Sequence, residues 1–376
     1  MHQRLCLKMG KITDIFYRNK NSIEIEDSWS RKIFENIADC GSGRLGTTSY
    51  ICSNCKALEI VNASCGSRNC PNCGGSARAK WVEDSSERLF PVKHFHAVFT
   101  LPHELNGLIA LHKKTMLNLL INSVSETLML FSKETFDGIP AFMMVLHSWT
   151  QKLEAHYHVH VLIASGTYSD GKWKEHKKKF LFPIRALSTM FRAKYLSKLS
   201  KKVIDSECSM FGKSILTLPE KWNVYCAPPY SGADTAVKYF GQYANRVGIS
   251  DSRILSVNDG MVEIAMKRDA GEKDPTSPPP KKDSSTKKKS FEISEIEFVK
   301  RFCLHILPKG FCKIRYFGLY SPRSKIREMV RSSLEKIKIG NALEIAILTV
   351  KKCGICKVGI LYFFSRSKLS ATGPPQ

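Results

Sequence analysis

Glu154-Ala155-His156-Tyr157-His158-Val159-His160-Val161-Leu162-Ile163 is the stretch on which the reading of this chain turns. Val, Ile, Leu and Tyr dominate it and alternate with His at period two, which predicts a β-strand. That period puts His156, His158 and His160 on one face, and Tyr157, Val159 and Val161 on the other. Imidazoles two residues apart on a rigid strand can converge on one divalent metal. The competing reading is a solvated histidine face. Three histidines at strict alternation inside an apolar strand favour the metal.

Outward from this strand the pattern builds a sheet. Residues 141–150 read as a second strand joined by a short link, so an antiparallel hairpin is expected. Residues 94–101 read as another strand, stopped by Pro102, and residues 224–227 as a short one broken by Pro228-Pro229. Residues 103–133 carry a Leu/Met stripe at helical spacing, which reads as core packing, and residues 184–211 read as a basic helix. Asn258-Asp259-Gly260 marks a hairpin within residues 253–266. The expected fold class is α+β: a central antiparallel sheet with flanking helices, laid on one side, preceded by a small zinc-binding domain.

The zinc expectation comes from cysteine spacing. Cys52/Cys55 and Cys70/Cys73 are two CxxC pairs that can wrap one tetrahedral zinc through four thiolates. Cys40 and Cys65 lie beside them as buried thiols, ligands of a second site or alternatives within the same cluster. Cys353-Gly354-Ile355-Cys356 is half of such a site, with no second CxxC after it. Thirteen cysteines without a signal peptide point to metal binding before disulfides, and to a cytoplasmic, nucleoid-associated protein.

Charge names the partner class. Fifty-eight Lys and Arg against 34 Asp and Glu give +24. Such an excess calls for a polyanion, and nucleic acid fits better than membrane because no apolar run is long enough to span a bilayer. Lys238, Arg246 and Arg315 are candidate phosphate contacts, with solvated surface charge as the equal alternative.

Tyr239 and Tyr243 stand four apart in a helical pattern that begins near Asp234. Alone, they read as an aromatic face packed on a sheet. Beside a His-bound metal and a basic surface, they read as nucleophiles for a DNA phosphodiester, each able to form a phosphotyrosine link. A phenol with a pKa near 10 needs a metal or a base to act.

These residues resemble the HUH superfamily of single-strand nucleases, with His158-Val159-His160 as the HUH triplet. The closer likeness is to rolling-circle insertion-sequence transposases with two tyrosines. The resemblance runs from about Cys40 to Gly318 and rests on five runs: Asn69–Cys73, Phe95–Leu105, His156–His160, Tyr239–Val247 and Leu307–Phe311. It implies a transposase that nicks single-stranded DNA at the transposon ends and joins it to a target through a 5′-phosphotyrosine. By position, Tyr239 and Tyr243 would be the nucleophiles, and His158 and His160 would bind Mg or Mn. A third ligand is expected: Gln151 first, then His156, then His147. The chain departs from the family's pattern at Thr48, Asn69 and Asn245, where His is common, and at Tyr157, where Pro is common. A plasmid relaxase or replication initiator with the same chemistry, or a non-catalytic zinc DNA-binding regulator, are the alternatives.

Four regions are expected. Residues 1–39 form a basic helical lead-in, 40–90 a zinc-binding, DNA-binding domain, 91–320 the nuclease domain, and 321–376 a basic tail. A Pro- and Lys-rich insertion at 267–292 is expected to be disordered.

Overall fold

Alternation along the histidine strand and its neighbours builds the sheet that organises the molecule. The computed structural model describes residues 3–6, 9–177, 181–204, 218–244, 248–266, 289–335 and 352–367. The chain opens with β1 (Gln3–Cys6), α1 (Lys11–Arg18) and α2 (Ser28–Ala38). Asp27 caps α2, its carboxylate accepting from the Ser30 N–H at 2.7 Å. The hairpin β2 (Thr47–Cys52) and β3 (Leu58–Asn62) follows, with β1 parallel to β3, and then α3 (Gly74–Arg88).

The central sheet begins at β4 (His94–Thr100). The helices α4 (Asn106–Leu111) and α5 (Lys113–Phe136) lead to β5 (Ile139–Trp149), β6 (Ala155–Ser169) and β7 (Lys172–Glu175). α6 (Ile184–Ile204) precedes β8 (Val224–Tyr230), and α7 (Ala233–Ala244) carries the tyrosines. A three-stranded sheet of β9 (Ile254–Asn258), β10 (Met261–Ala265) and β11 (Ser290–Ser294) is followed by α8 (Glu295–Cys303). The chain then adds β12 (Ile314–Gly318), α9 (Arg327–Glu335) and β13 (Leu361–Ser367). The central order is β12-β5-β6-β4-β8, with β7 paired to β6 and every pairing antiparallel.

The expected α+β class holds, but the helices do not lie on one side. On one face Phe95, Phe99, Phe142, Leu146, Val159 and Val161 pack against α5 and α6. On the other face Met143, Val145, Leu162 and Ala164 pack against α7 and α9, with Trp81 and Val82 of α3 beside them. The central strands carry apolar residues on both faces, so water must be excluded from both, and two helical layers are required.

The lead-in helices do not stand apart either. Ile12, Ile15, Phe16, Phe34 and Ile37 share one core with Ile254, Val262, Ile264, Phe298 and Phe302. The Asp251 carboxylate receives the first N–H groups of α1, from Lys11 at 3.0 Å and Ile12 at 3.1 Å. The expected insertion at 267–292 falls only partly among the described residues. Residues 267–288 lie outside the described residues, while Ser290–Ser294 alternates and pairs with β10 as β11. Within the basic tail, β13 pairs with β2.

Candidate active site and metal centres

The histidine centre follows from strand register. β5 and β6 pair so that His147 stands opposite His158 and Val145 opposite His160. Paired residues share a face, so His147 joins the face that alternation assigns to His158 and His160. The His147 Nδ1 is 3.0 Å from the His158 Nε2, and the His158 Nε2 is 3.2 Å from the His160 Nε2. With metal–ligand bonds of about 2.1 Å, adjacent corners of an octahedron lie about 3.0 Å apart. Both distances therefore fit adjacent ligand positions of a six-coordinate divalent ion, and the three ligand atoms all lie within 4.8 Å of one another.

The rings are oriented for that task. His158 Nδ1 lies 3.1 Å from the His156 carbonyl, so its N–H donates there and leaves Nε2 bare. His160 Nδ1 lies 2.9 Å from the Nε2 of His96 on β4. If His160 presents Nε2 as a lone pair, its Nδ1–H donates to His96. Burial drives His158 down to about 3 and His96 to about 4, and holds His147 and His160 well below the usual imidazole range. All four are neutral at neutral pH, the state in which an imidazole is a ligand.

His147, ranked last from sequence, supplies the third nitrogen, because the register sets it against His158. Gln151 and His156 line the same cleft, with Trp149, Thr150, Ile249 and Arg253. His156 is exposed at its mouth. Gln151 sits in the turn from β5 to β6, and three side chains brace that turn. Arg253 Nη2 donates to the Gln151 carbonyl at 2.9 Å, Arg301 Nη1 to the Lys152 carbonyl at 3.1 Å, and His305 Nε2 to the Leu153 carbonyl at 3.0 Å. Leu153 is held at φ 60, the left-handed region that a leucine adopts only when its surroundings impose it.

The tyrosine helix lies over the same face. Phe240, Ala236 and Val237 bury it against the sheet. The Tyr239 ring is 5.5 Å from the His96 ring and 5.3 Å from that of Tyr230. Tyr239 thus reaches the centre through His96, a residue inside the 94–101 strand that was given no role from sequence. Gly241 lets α3 approach: a Cβ there would stand 2.6 Å from Val82 Cγ2. The side chains of Tyr243 and Lys238, and the whole of Arg246, lie outside the described residues.

Arg315 is placed away from the centre. It pairs with Met144, so it lies on the opposite face, where its guanidinium donates to Asn118 Oδ1 at 2.5 Å and stacks 5.0 Å over Phe311. Lys313 lies nearer, its ammonium 5.1 Å over the Trp149 ring, and its charge helps to depress His147 and His160. Burial lowers Lys313 itself to about 7.

The four CxxC thiols expected around one zinc do not meet. Cys70 and Cys73 join Cys40 and Cys65, whereas Cys52 and Cys55 turn toward the C-terminal pair. Cys40 follows α2, and Cys73 starts α3, which places both beside the Cys65–Cys73 loop. The Cys40–Cys73 and Cys65–Cys73 sulfurs are each 3.7 Å apart. A zinc with bonds of about 2.3 Å to tetrahedral thiolates sets its sulfurs about 3.8 Å apart, so this set fits zinc closely.

Residues 141–327 match the family described as putative transposase, and residues 13–101 match the transposase zinc-binding domain. A putative transposase of Sinorhizobium fredii, y4qJ, is 30% identical, covering 85% of this chain and 83% of that protein. The transposase for insertion sequence element IS801 of Pseudomonas savastanoi pv. phaseolicola is 25% identical, covering 76% of this chain and 68% of its own length. Among the described residues, no helix is long and apolar enough to cross a membrane. With matches to a zinc-binding domain and a transposase domain, and a relative at this identity over 83% of its length, the chain is a DNA transposase and belongs to the rolling-circle insertion-sequence transposases.

Proposed function

We propose that this transposase nicks and rejoins single-stranded DNA at the transposon ends through a 5′-phosphotyrosine, with Tyr239 and Tyr243 as nucleophiles. The observation that carries this reading is the line from Tyr239 to His96 to His160, with a 5.5 Å ring contact and then a 2.9 Å nitrogen contact. It leaves one residue, His96, between the Tyr239 ring and the three converging imidazole nitrogens.

His147, His158 and His160 would hold the ion, with Gln151 and His156 at the cleft wall as the remaining candidates. Three imidazoles suit Mn better than Mg, which prefers oxygen ligands. A divalent ion there supplies Lewis-acid polarisation of a non-bridging phosphate oxygen. The protein's own part is placement. Arg253, fixed by its bonds to the Gln151 and Ala265 carbonyls, sets a permanent positive charge in the cleft for the phosphodiester.

The tyrosine Oη forms a bond to phosphorus as the bond from phosphorus to the 3′-oxygen breaks. The phenol proton leaves to solvent in the open cleft, and the departing 3′-oxygen gains one from it. The reverse reaction, with a 3′-OH attacking the phosphotyrosine, rejoins the strand. Tyr243, one turn along α7, would serve a second strand in the same way.

Incubation of the full chain with single-stranded oligonucleotides from the element ends and Mn is expected to give a covalent protein–DNA adduct. Tyr239→Phe and Tyr243→Phe tested separately assign the first nucleophile. Undiminished adduct in the double variant would refute the tyrosine assignment, and no adduct from folded wild type under either metal would refute the nuclease reading.

A further inference from the structure

We propose that Cys52, Cys55, Cys353 and Cys356 hold a second zinc ion, a closed structural site that clasps the C-terminal strand onto the N-terminal sheet. The match to the transposase zinc-binding domain ends at residue 101, so half of these ligands lie far outside it. Cys55 and Cys353 are 298 residues apart in sequence.

The geometry is that of a tetrathiolate. Cys52 and Cys356 sulfurs are 3.7 Å apart, and Cys55 and Cys353 sulfurs 3.8 Å. All four sulfurs lie within 4.8 Å of one another. Two disulfides would instead show two pairs at about 2.05 Å. Sulfurs around a tetrahedral zinc stand about 3.8 Å apart.

The two knuckles repeat one backbone. In the first, Asn54 N–H donates to Cys52 Sγ at 3.4 Å and Lys56 N–H to the Cys52 carbonyl at 3.2 Å. In the second, Ile355 N–H donates to Cys353 Sγ at 3.4 Å and Lys357 N–H to the Cys353 carbonyl at 3.0 Å. The residue after each second cysteine is a lysine in the left-handed region, Lys56 at φ 55 and Lys357 at φ 62. Two CxxCK segments from distant parts of the chain that adopt the same strained turn, each aiming N–H groups at sulfur, are built to carry thiolates.

The surroundings hold the halves together. Ser53 N–H donates to the Ile360 carbonyl at 2.9 Å, and the Gly354 N–H donates to the buried carboxylate of Glu59 on β3. Gly359 packs directly on Cys52, where any side chain would collide with the sulfur. β13 then continues from this clasp along β2, extending the small sheet to the order β1-β3-β2-β13. With four protein ligands the site has no open position, which marks it as structural and not catalytic.

The test counts thiolate-bound zinc. Full-length chain is reconstituted with zinc in a His158→Ala, His160→Ala background, so that imidazole-bound metal does not contribute. Zinc released by a mercurial thiol reagent is then measured with a metallochromic dye. Two equivalents per chain are expected, falling to one in Cys353→Ser, Cys356→Ser and to one in Cys52→Ser, Cys55→Ser. Limited proteolysis should free the β13 segment faster in both variants. One equivalent in the wild type, two in either variant, or thiols that titrate as disulfides would overturn the site. Should the variants fail to fold, cadmium-loaded wild type decides by NMR: two tetrathiolate resonances support the proposal, and one rejects it.

Discussion

The imidazole centre and the thiolate sites are both metal-ligand clusters, but they are assembled over very different ranges of chain. His147 and His158 are 11 residues apart on two strands of one hairpin. Cys40 and Cys73 are 33 apart, and Cys52 and Cys356 are 304 apart. The hairpin needs only its turn and register to bring its ligands together. The thiolate sets need packing of α1, α2 and α3, or return of the C-terminal strand, before any ligand meets its partner. The clusters also differ in closure. Each thiolate set offers four sulfurs, whereas the imidazole set offers three nitrogens and opens into a cleft, the difference that the structural and reactive roles proposed for them require. Motif spacing therefore names the donor atoms, but partner choice and purpose come from the assembly around them.

That contrast can be broken by removing one kind of ligand at a time. The largest effect is expected from Cys70→Ser with Cys73→Ser. Structural zinc binding contributes on the order of 10 kcal/mol to folding in small zinc modules, so the region before α3 should lose its protection from hydrogen exchange. Because α3 packs on α7 at Gly241, adduct formation should fall as well. His158→Ala with His160→Ala should cut adduct formation by more than about a hundredfold, since loss of a supporting partner alone costs 10- to 100-fold. Thiolate-bound zinc should stay near wild type; a parallel loss of zinc would show that the two regions are not independent.

A smaller effect sharpens the role of His96. His96→Gln, which abolishes the paired imidazole nitrogen facing His160, should weaken metal affinity about 10- to 100-fold. Titration calorimetry with Mn would measure it, and unchanged affinity would remove His96 from the centre. Gly241→Ala should destabilise the chain by about 1–3 kcal/mol through overpacking against Val82, read from thermal melting.

The smallest expected effect is a pH dependence outside both clusters. His305 is buried, its Nδ1 lies 3.3 Å from Ser148 Oγ, its Nε2 donates to the Leu153 carbonyl, and burial lowers it to about 4. Its unfolded value is about 6.5, so below that pH the unfolded chain binds the extra proton first. The stability it contributes is present above about 6.5 and is lost as pH falls toward 4. Between pH 8 and pH 6 the gap between wild type and His305→Gln should narrow by roughly 0.8 kcal/mol in denaturant melts. A gap that widens would reverse the assignment.

The strands were legible because they alternate. His94–Thr100 and Ile139–Trp149 lie where their patterns put them, and the histidine strand runs on past Ile163 to Ser169. Tyr157, where the family commonly has Pro, is buried among the core residues of the α5 face, as a mid-strand side chain should be. The third imidazole was harder to find. Gln151 is nearer to His158 along the chain than His147 is, and only the pairing of β5 with β6 reveals that His147 is opposite. Arg315 shows the same limit. Its charge was visible, but its face depends on a register that places it beside Asn118 and not in the cleft.

Residue chemistry and spacing specify the candidate ligand atoms, the period of the strand that carries His158 and His160, the helical spacing of Tyr239 and Tyr243, and the charge that calls for a polyanion. These are local properties, set by residue chemistry and by the two backbone periods. Only the tertiary structure decided that His147 completes the imidazole set, that His96 links it to Tyr239, and that six N-terminal cysteines divide between two sites, one finished from the C-terminus. The physical reason is that spacing along a chain limits which ligands can meet, while strand register and core packing select which of them do.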